Sequence, residues 1–189
     1  MIGGLARKSS FYVLVIMIWE VASRVGVWPR FLFPAPSEVL QTLAQGFADS
    51  TFIFGMLASM RRILLGYTIS LISGVLLGLG ISRNKFIGET IGSLILGLQT
   101  LPSICWLPLA LLWFGLNESA IIFVVVMGAL LSITTATESG IKNAPPLLIK
   151  AGQNMGARGP RLLFEVIIPA ALPSIITGMK QGWSFALRS

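Results

Sequence analysis

A chain of 189 residues that is 54% hydrophobic and only 11% charged, with a mean hydropathy of +0.84, lacks the composition of a soluble globule and reads as a membrane protein. Its 14 Lys plus Arg stand against 7 Asp plus Glu, with no histidine, which excludes histidine acid–base chemistry and His-ligated metal sites within this chain. The single cysteine, Cys105, lies in an apolar stretch and cannot close an intrachain disulfide; its expected role is that of a small buried hydrophobe.

A helix crosses roughly 30 Å of hydrocarbon in about 20 apolar residues, so charges mark the limits of the spans. The first expected span, about 10 to 28, follows Arg7 and Lys8; Phe11 to Trp19 is continuously apolar and Glu20 interrupts it. The same opening has the basic and apolar regions of a secretory signal, with Val-Ala-Ser at 21 to 23 as a poor cleavage site. An uncleaved helix is the more economical reading, because further spans follow. The connection from Trp28 to about Thr51 holds Phe-Pro-Ala-Pro-Ser-Glu at 33 to 38, with Ser37 placed to cap a helix. In that helix Val39, Leu40, Leu43 and Phe47 recur at helical spacing, suiting either the outer membrane surface or packing against a bundle.

Residues 63 to 82, between Arg62 and Arg83, form the second span, and the apolar stretch 52 to 60 extends it outward. Gly66, Ser70, Gly74 and Gly78 recur every four residues and line one helix face with small side chains. That face is expected to pack tightly, within the subunit or between subunits. Arg62 lies on the same row. The third segment, 90 to 117, contains Pro102 and Pro108 and is expected to be kinked or broken. Backbone broken at membrane depth must be buried in protein or line a watery cavity, since lipid cannot satisfy freed amides. Gln99, Thr100, Pro102, Ser103 and Pro108 are therefore pathway candidates, a purely structural kink being the alternative. A fourth span covers 119 to 137, and a fifth runs from after Glu165 to about Leu187, interrupted only by Lys180.

Between these two, residues 139–165 make a connection too long for a tight turn. Pro145 and Pro146 can open a helix at about Leu147, and Lys150 to Met155 continue it. Gly156 would end it in a left-handed conformation, and Pro160 would start another at Arg161. The product is a helix–turn–helix elbow with a basic, exposed face, either a docking knob or an ordinary linker. Arg7, Lys8, Arg83, Lys85, Lys142, Lys150, Arg158 and Arg161 outweigh Arg24, Arg30, Arg61 and Arg62 on the other side, placing the N-terminus and the elbow in the cytoplasm. Basic excess of this kind is topological, and no basic–aromatic stripe points to nucleic acid.

From Lys150 the chain reads Lys-Ala-Gly, three residues, Gly156, nine residues, then Val-Ile-Ile-Pro ending at Pro169. This resembles the signature loop Glu-Ala-Ala-x3-Gly-x9-Ile-x-Leu-Pro of binding-protein-dependent ABC importer permeases, with Lys150 in place of Glu and Gly152 in place of Ala. The stretches at 33 to 40, 59 to 67, 101 to 115 and 167 to 180 resemble the nitrate, sulfonate and taurine branch. The resemblance implies an all-α polytopic helix bundle, with about five of six expected spans, as one permease domain over 1–189 containing a coupling loop at 139–165. It implies a location in the inner membrane and a pair of permease subunits, expected to be a homodimer, working with ABC ATPase subunits and an extracytoplasmic solute-binding protein. Lys150 to Arg161, including Arg158, would sit in a cleft of the ATPase, with Ala151 and Gly152 keeping the contact close and Gly156 setting its angle. No Gly-x4-Gly-Lys-Ser/Thr loop occurs, so ATP is expected to be hydrolysed by the partner, with no cofactor and no enzymatic role in this chain. The branch implies a small oxyanion or alkyl sulfonate as solute. The family continues beyond the positions of Arg188 and Ser189 into a sixth helix, so a C-terminally shortened permease is expected. The alternatives are a secondary transporter or channel without an ATPase, for which Glu20 is nearly the only intramembrane acid, and an inactive truncated fragment.

Overall fold

The computed structural model describes residues 2–26, 29 and 31–188; Trp28, Arg30 and Ser189, invoked above, lie outside the described residues, as do the side chains of 2–6 and Lys85. All regular elements among the described residues are helical: α1 (Ile2–Arg24), α2 (Pro36–Ala48), α3 (Thr51–Arg83), α4 (Lys85–Gln99), a 3₁₀ turn (Ser103–Trp106), α5 (Leu107–Phe114), α6 (Glu118–Lys142), α7 (Pro146–Asn154), α8 (Gly159–Leu162), a π turn (Leu163–Ile167) and α9 (Ile168–Ala186). They form two compact units, residues 1–58 and 59–189.

In the first unit, Glu20 of α1 is a structural acid. Its carboxylate accepts from the Ser37 backbone N–H at 3.2 Å and from the Ser37 hydroxyl at 2.9 Å, and it pairs with Arg24 at 2.6 Å. The expected cap at Ser37 is displaced accordingly. Ala35 is the N-cap of α2, Pro36 follows it inside the first turn, and Glu38 reaches back to the Ala35 N–H at 3.3 Å. The Trp19 indole N–H donates to the Pro34 carbonyl at 3.1 Å, clamping the proline-rich connection onto α1. After α2 the chain reverses through Ser50 at φ +62°, and Asp49 accepts from the Thr51 N–H at 2.9 Å to start α3. That donated hydrogen bond holds the Asp49 carboxyl below the ordinary carboxylate range, so this cap is intact at neutral pH and lost as pH falls through the lowered value.

The second unit is organised on α6, which carries most of the fully buried side chains: Val125, Ala129, Ser132, Ile133, Thr134 and Thr137. The face of α3 that meets it is the one bearing Gly66, Ser70, Gly74 and Gly78, all buried. A Cβ at Gly66 would stand 2.7 Å from Val125 Cγ1, and one at Gly78 2.6 Å from Thr137 Cβ and 2.8 Å from the Thr134 carbonyl. The Ser70 hydroxyl sits between the two helices, donating to Gly66 O at 2.7 Å and lying 3.3 Å from Val126 O. Contacts 66 to 125 and 78 to 137 run in the same sense, so α3 and α6 are parallel. On the opposite face of α3, Leu64, Leu65, Ile69, Ile72, Leu76 and Leu77 are exposed. Small residues inside and branched apolar residues outside is the pattern of a helix packed in lipid, where close backbone approach, not hydrophobic burial, holds the interface.

The last helix packs antiparallel on α6 by the same device. Gly140 of α6 meets Ala171 and Ser174, Gly178 meets Ala136, and Gly182 lies against Ile133 and the Ala129 carbonyl. Tyr67 of α3 closes the third side, donating to Met179 O at 2.9 Å and meeting Trp183 edge-on, centroids 5.1 Å apart.

Among the described residues three helices are long and apolar enough to cross a membrane, Thr51–Arg83, Glu118–Lys142 and Gly159–Ala186, and the pair Phe86–Gln99 and Ser103–Phe114, bent by 102°, makes a fourth if it is one span. Helix α1, expected as the first of five, is not among them. Arg7 and Lys8 at one end and Glu20 and Arg24 at the other leave an uncharged run from 9 to 19, roughly 16 Å of helix.

Candidate functional site

Two places combine irregular backbone with exposed polar groups: the elbow at one end of α6 and the break in the α4–α5 segment beside its middle.

At the elbow, α7 ends in a paired C-terminal hydrogen-bond motif: the Ala157 N–H donates to Gly152 O at 2.9 Å and the Gly156 N–H to Gln153 O at 3.0 Å. The residue between helix and turn must then be left-handed, and Gly156 has φ +88°. A Cβ there would meet nothing within 4 Å, so glycine is required by conformation and not by space. Gly152 is required by space. It is buried, and a Cβ would stand 2.8 Å from Val166 Cγ2 and 3.2 Å from Leu162 Cδ1. Gly152 faces inward and holds the two arms of the elbow together. Lys150, Ala151, Arg158 and Arg161 are exposed, with Leu147 78% and Met155 88% exposed beside them. Arg161 is held by Glu165 at 2.9 Å, while Lys150 and Arg158 make no ion pair among the described residues.

The second arm does not stop at the elbow. α8, the π turn and α9 are continuous over Gly159–Ala186. The π turn has a cause in Pro169. A proline there offers no N–H to the Glu165 carbonyl, and widening the preceding turn, with the Ile168 N–H bonded to Leu163 O, relieves the crowding. Pro169 itself is exposed on this rod.

At the break, α4 ends at Gln99 and the chain turns through Thr100 to Pro102 before the 3₁₀ turn. Register along α6 sets the position: Gly88 approaches Lys142, Gly92 approaches Glu138, and the Thr135 hydroxyl, 2.9 Å from the Leu131 carbonyl, lies 3.0 Å from Gln99 Oε1. The break therefore lies beside the central turns of α6. It opens into a recess of about 400 Å³, lined by Gln99, Thr100, Pro102 and Ser103, by Met127, Gly128 and Leu131 of α6, and by Phe185 and Arg188. Four of the five pathway candidates thus come together. Pro108 does not line the recess; it falls in the first turn of α5, where a missing N–H costs nothing. Cys105, expected to be buried, is exposed, because the 3₁₀ turn points it away from α6 while Trp106 packs inward.

Arg188 was not anticipated in this recess, and no local signal could have found it, since only the packing of α9 on α6 brings it to the break. Two ion pairs stand at opposite ends of α6: Glu118 with Arg62 at 2.9 Å, and Glu138 with Lys142 at 2.7 Å. Arg62 and Glu138 thus have structural partners. No cluster of metal-ligating side chains occurs among the described residues.

Comparison with known proteins agrees with this architecture. Residues 66–188 match the family described as binding-protein-dependent transport system inner membrane component. The chain is similar to the taurine transport system permease protein of Escherichia coli, 30% identical over 91% of this chain and 66% of the relative. It is 28% identical to the formylaminopyrimidine transport permease protein of Halalkalibacterium halodurans, over 90% of this chain and 67% of the relative. It is 32% identical to an Escherichia coli permease protein named for aliphatic sulfonates, over 88% of this chain and 63% of the relative. The chain spans about two thirds of the length of these relatives.

Proposed function

The chain belongs to the family of binding-protein-dependent transport system inner membrane components, and from that premise we propose that it is the permease subunit of an ABC importer whose elbow docks a separate ATPase and whose recess is part of the solute pathway. Family membership makes it a multi-pass inner-membrane protein whose relatives work with ATPase and solute-binding partners; that it pairs with a second copy of itself, and that ATP is spent only by the ATPase, are parts of this proposal.

One observation supports the coupling role above others: the elbow's second arm is the first turn of the rod Gly159–Ala186. That rod packs along α6 through Gly140, Gly178 and Gly182 and ends at the recess. A push on exposed Lys150, Ala151 and Met155 is passed through Gly152 and Val166 into a stiff helix, with no loop to absorb it. Arg83 and Lys142 end α3 and α6 on the same side as the elbow, which supports a cytoplasmic elbow by the distribution of basic residues.

The test is co-purification of the permease with its ATPase in detergent. Replacing Gly156 with Val places a β-branched residue in the left-handed region at a cost of about 1–3 kcal/mol and re-aims α7. The expected result is normal membrane insertion with loss of the ATPase; retention of the ATPase at wild-type yield contradicts the assignment.

A further inference from the structure

The face of α6 that lines the recess continues past it toward the elbow. Gly128 and Leu131 line the recess, and Thr135, Glu138 and Lys142 follow them at helical spacing, which keeps all five on one side of the helix. That side is covered by α4, which runs antiparallel to α6. Thr135 Oγ1 lies 3.0 Å from Gln99 Oε1, and Ile95 shares a buried cluster with Leu131. Nearer the elbow, α4 meets the charged residues of α6 through glycines. A Cβ at Gly92 would stand 3.0 Å and 3.2 Å from the two Glu138 carboxylate oxygens, and one at Gly88 would stand 2.9 Å from Lys142 Nζ.

The Glu138 carboxylate is held under α4, its side chain only 12% exposed, while Lys142, its partner at 2.7 Å on the same helix, is 45% exposed. Because this charge pair is internal to α6, α4 can move off it without leaving either charge unpaired. The glycines at the contact offer no side chain to interdigitate. A carboxylate loses hydration on burial even when it is paired, so water admitted beneath α4 restores what the closed seam withholds.

We propose that this seam between α4 and α6 is the closed exit of the recess toward the elbow, and that Glu138 sets how readily it opens. The proposal rests on the permease reading for what passes through the seam, while the opening itself can be read separately. Glu138 is a positioning residue, acting through the seating of α4 on α6.

The test is the rate at which a membrane-impermeant maleimide labels Thr135→Cys, with Cys105 replaced by Ser, in vesicles sealed with the elbow outward. A separate Asn154→Cys protein, exposed on α7, reports that orientation. The rates are compared without ATPase. Gly92→Leu drives a side chain into the Glu138 carboxylate, and overpacking of this kind is expected to raise the rate about tenfold or more. Glu138→Gln removes the charge whose hydration favours opening, and the rate is expected to fall about threefold or more. Gly97→Leu, at a position of α4 where a Cβ meets nothing within 4 Å, is expected to leave it unchanged. General loosening of the fold would raise the rate in both Gly92→Leu and Glu138→Gln, so their opposite signs separate gating from damage. No rise in Gly92→Leu, an equal rise in Gly97→Leu, no fall in Glu138→Gln, or labelling only in vesicles of the opposite orientation overturns the proposal. Co-purification of the ATPase is read separately, and its failure overturns the permease reading alone.

Discussion

Glycine does two different jobs in this chain, and only one of them can be read locally. Gly156 is required by backbone conformation, which the flanking helix formers and Pro160 already signal in the sequence. Gly152 is required because Val166 and Leu162 occupy the space its side chain would take, and that depends on an arm of the elbow some turns later in the chain. Cys105 failed for a similar reason: an apolar neighbourhood in sequence does not say which way a single 3₁₀ turn points. The row Gly66, Ser70, Gly74, Gly78 was legible as a close-packing face, though not that α6 would be its partner. Its energetic content is testable. Gly78→Leu drives a side chain into Thr137 and the Thr134 carbonyl, and overpacking of this kind costs about 1–3 kcal/mol. Thermal melting in detergent is expected to fall for Gly78→Leu and to stay at wild type for Gly80→Ala, whose Cβ meets nothing within 4 Å; equal melting of the two would contradict the packing described.

At the scale of elements, proline position decided what the sequence could foretell. Pro102 and Pro108 both argue for a break in the third segment, yet only the first makes one, because Pro108 lands where a helix start needs no N–H. Pro169 was read as part of a loop signature, and its structural consequence, a π turn inside a continuous rod, was not foreseen. The helix starts after the breaks depend on side-chain caps. Asn84 accepts from the Phe86 N–H at 3.0 Å, and Asn117 accepts from the Ser119 N–H at 2.9 Å and the Ala120 N–H at 3.3 Å to open α6. Asn117 also donates back to the Phe114 carbonyl, tying α5 to α6 across a turn whose Gly115 has φ +70°. Removing both interactions with Asn117→Ala is expected to cost about 1–2 kcal/mol, read as a lower melting temperature. Hydrogen exchange should rise at Ser119 and Ala120 and not at the Phe86 and Ile87 amides, which Asn84 caps. An unchanged exchange pattern would mean the cap contributes nothing.

At the scale of the whole molecule, the all-α polytopic class followed from composition and from the spacing of charges, because a bilayer leaves few other ways to satisfy a backbone. The count of spans did not follow as well. A helix of the expected length exists at the N-terminus, but its charges leave an uncharged run only from 9 to 19, and Glu20 and Arg24 are used to hold the start of α2 and each other. Which helix packs on which in the second unit was not legible, since pairwise contacts such as Gly78 with Thr137 or Gly178 with Ala136 have no periodic trace that names the partner. What emerges is a central α6 flanked by a parallel α3, an antiparallel rod that begins in the elbow, and a broken segment that opens a recess beside the central turns of α6. The elbow and the recess thereby lie at the two ends of one continuous helix, Gly159–Ala186, which the proposed function makes a mechanical link.

That linkage is the central claim, and it can be measured directly. With Cys105 replaced by Ser to remove the exposed native thiol, Ser103→Cys places a single reporter on the recess. Its rate of reaction with a membrane-impermeant maleimide is followed in the assembled permease–ATPase complex with and without ATP. The account predicts a change in rate on adding ATP to the complex that is absent when ATP is added to the permease without its ATPase. Equal rates with and without ATP, in a complex that hydrolyses it, would contradict coupling between elbow and recess.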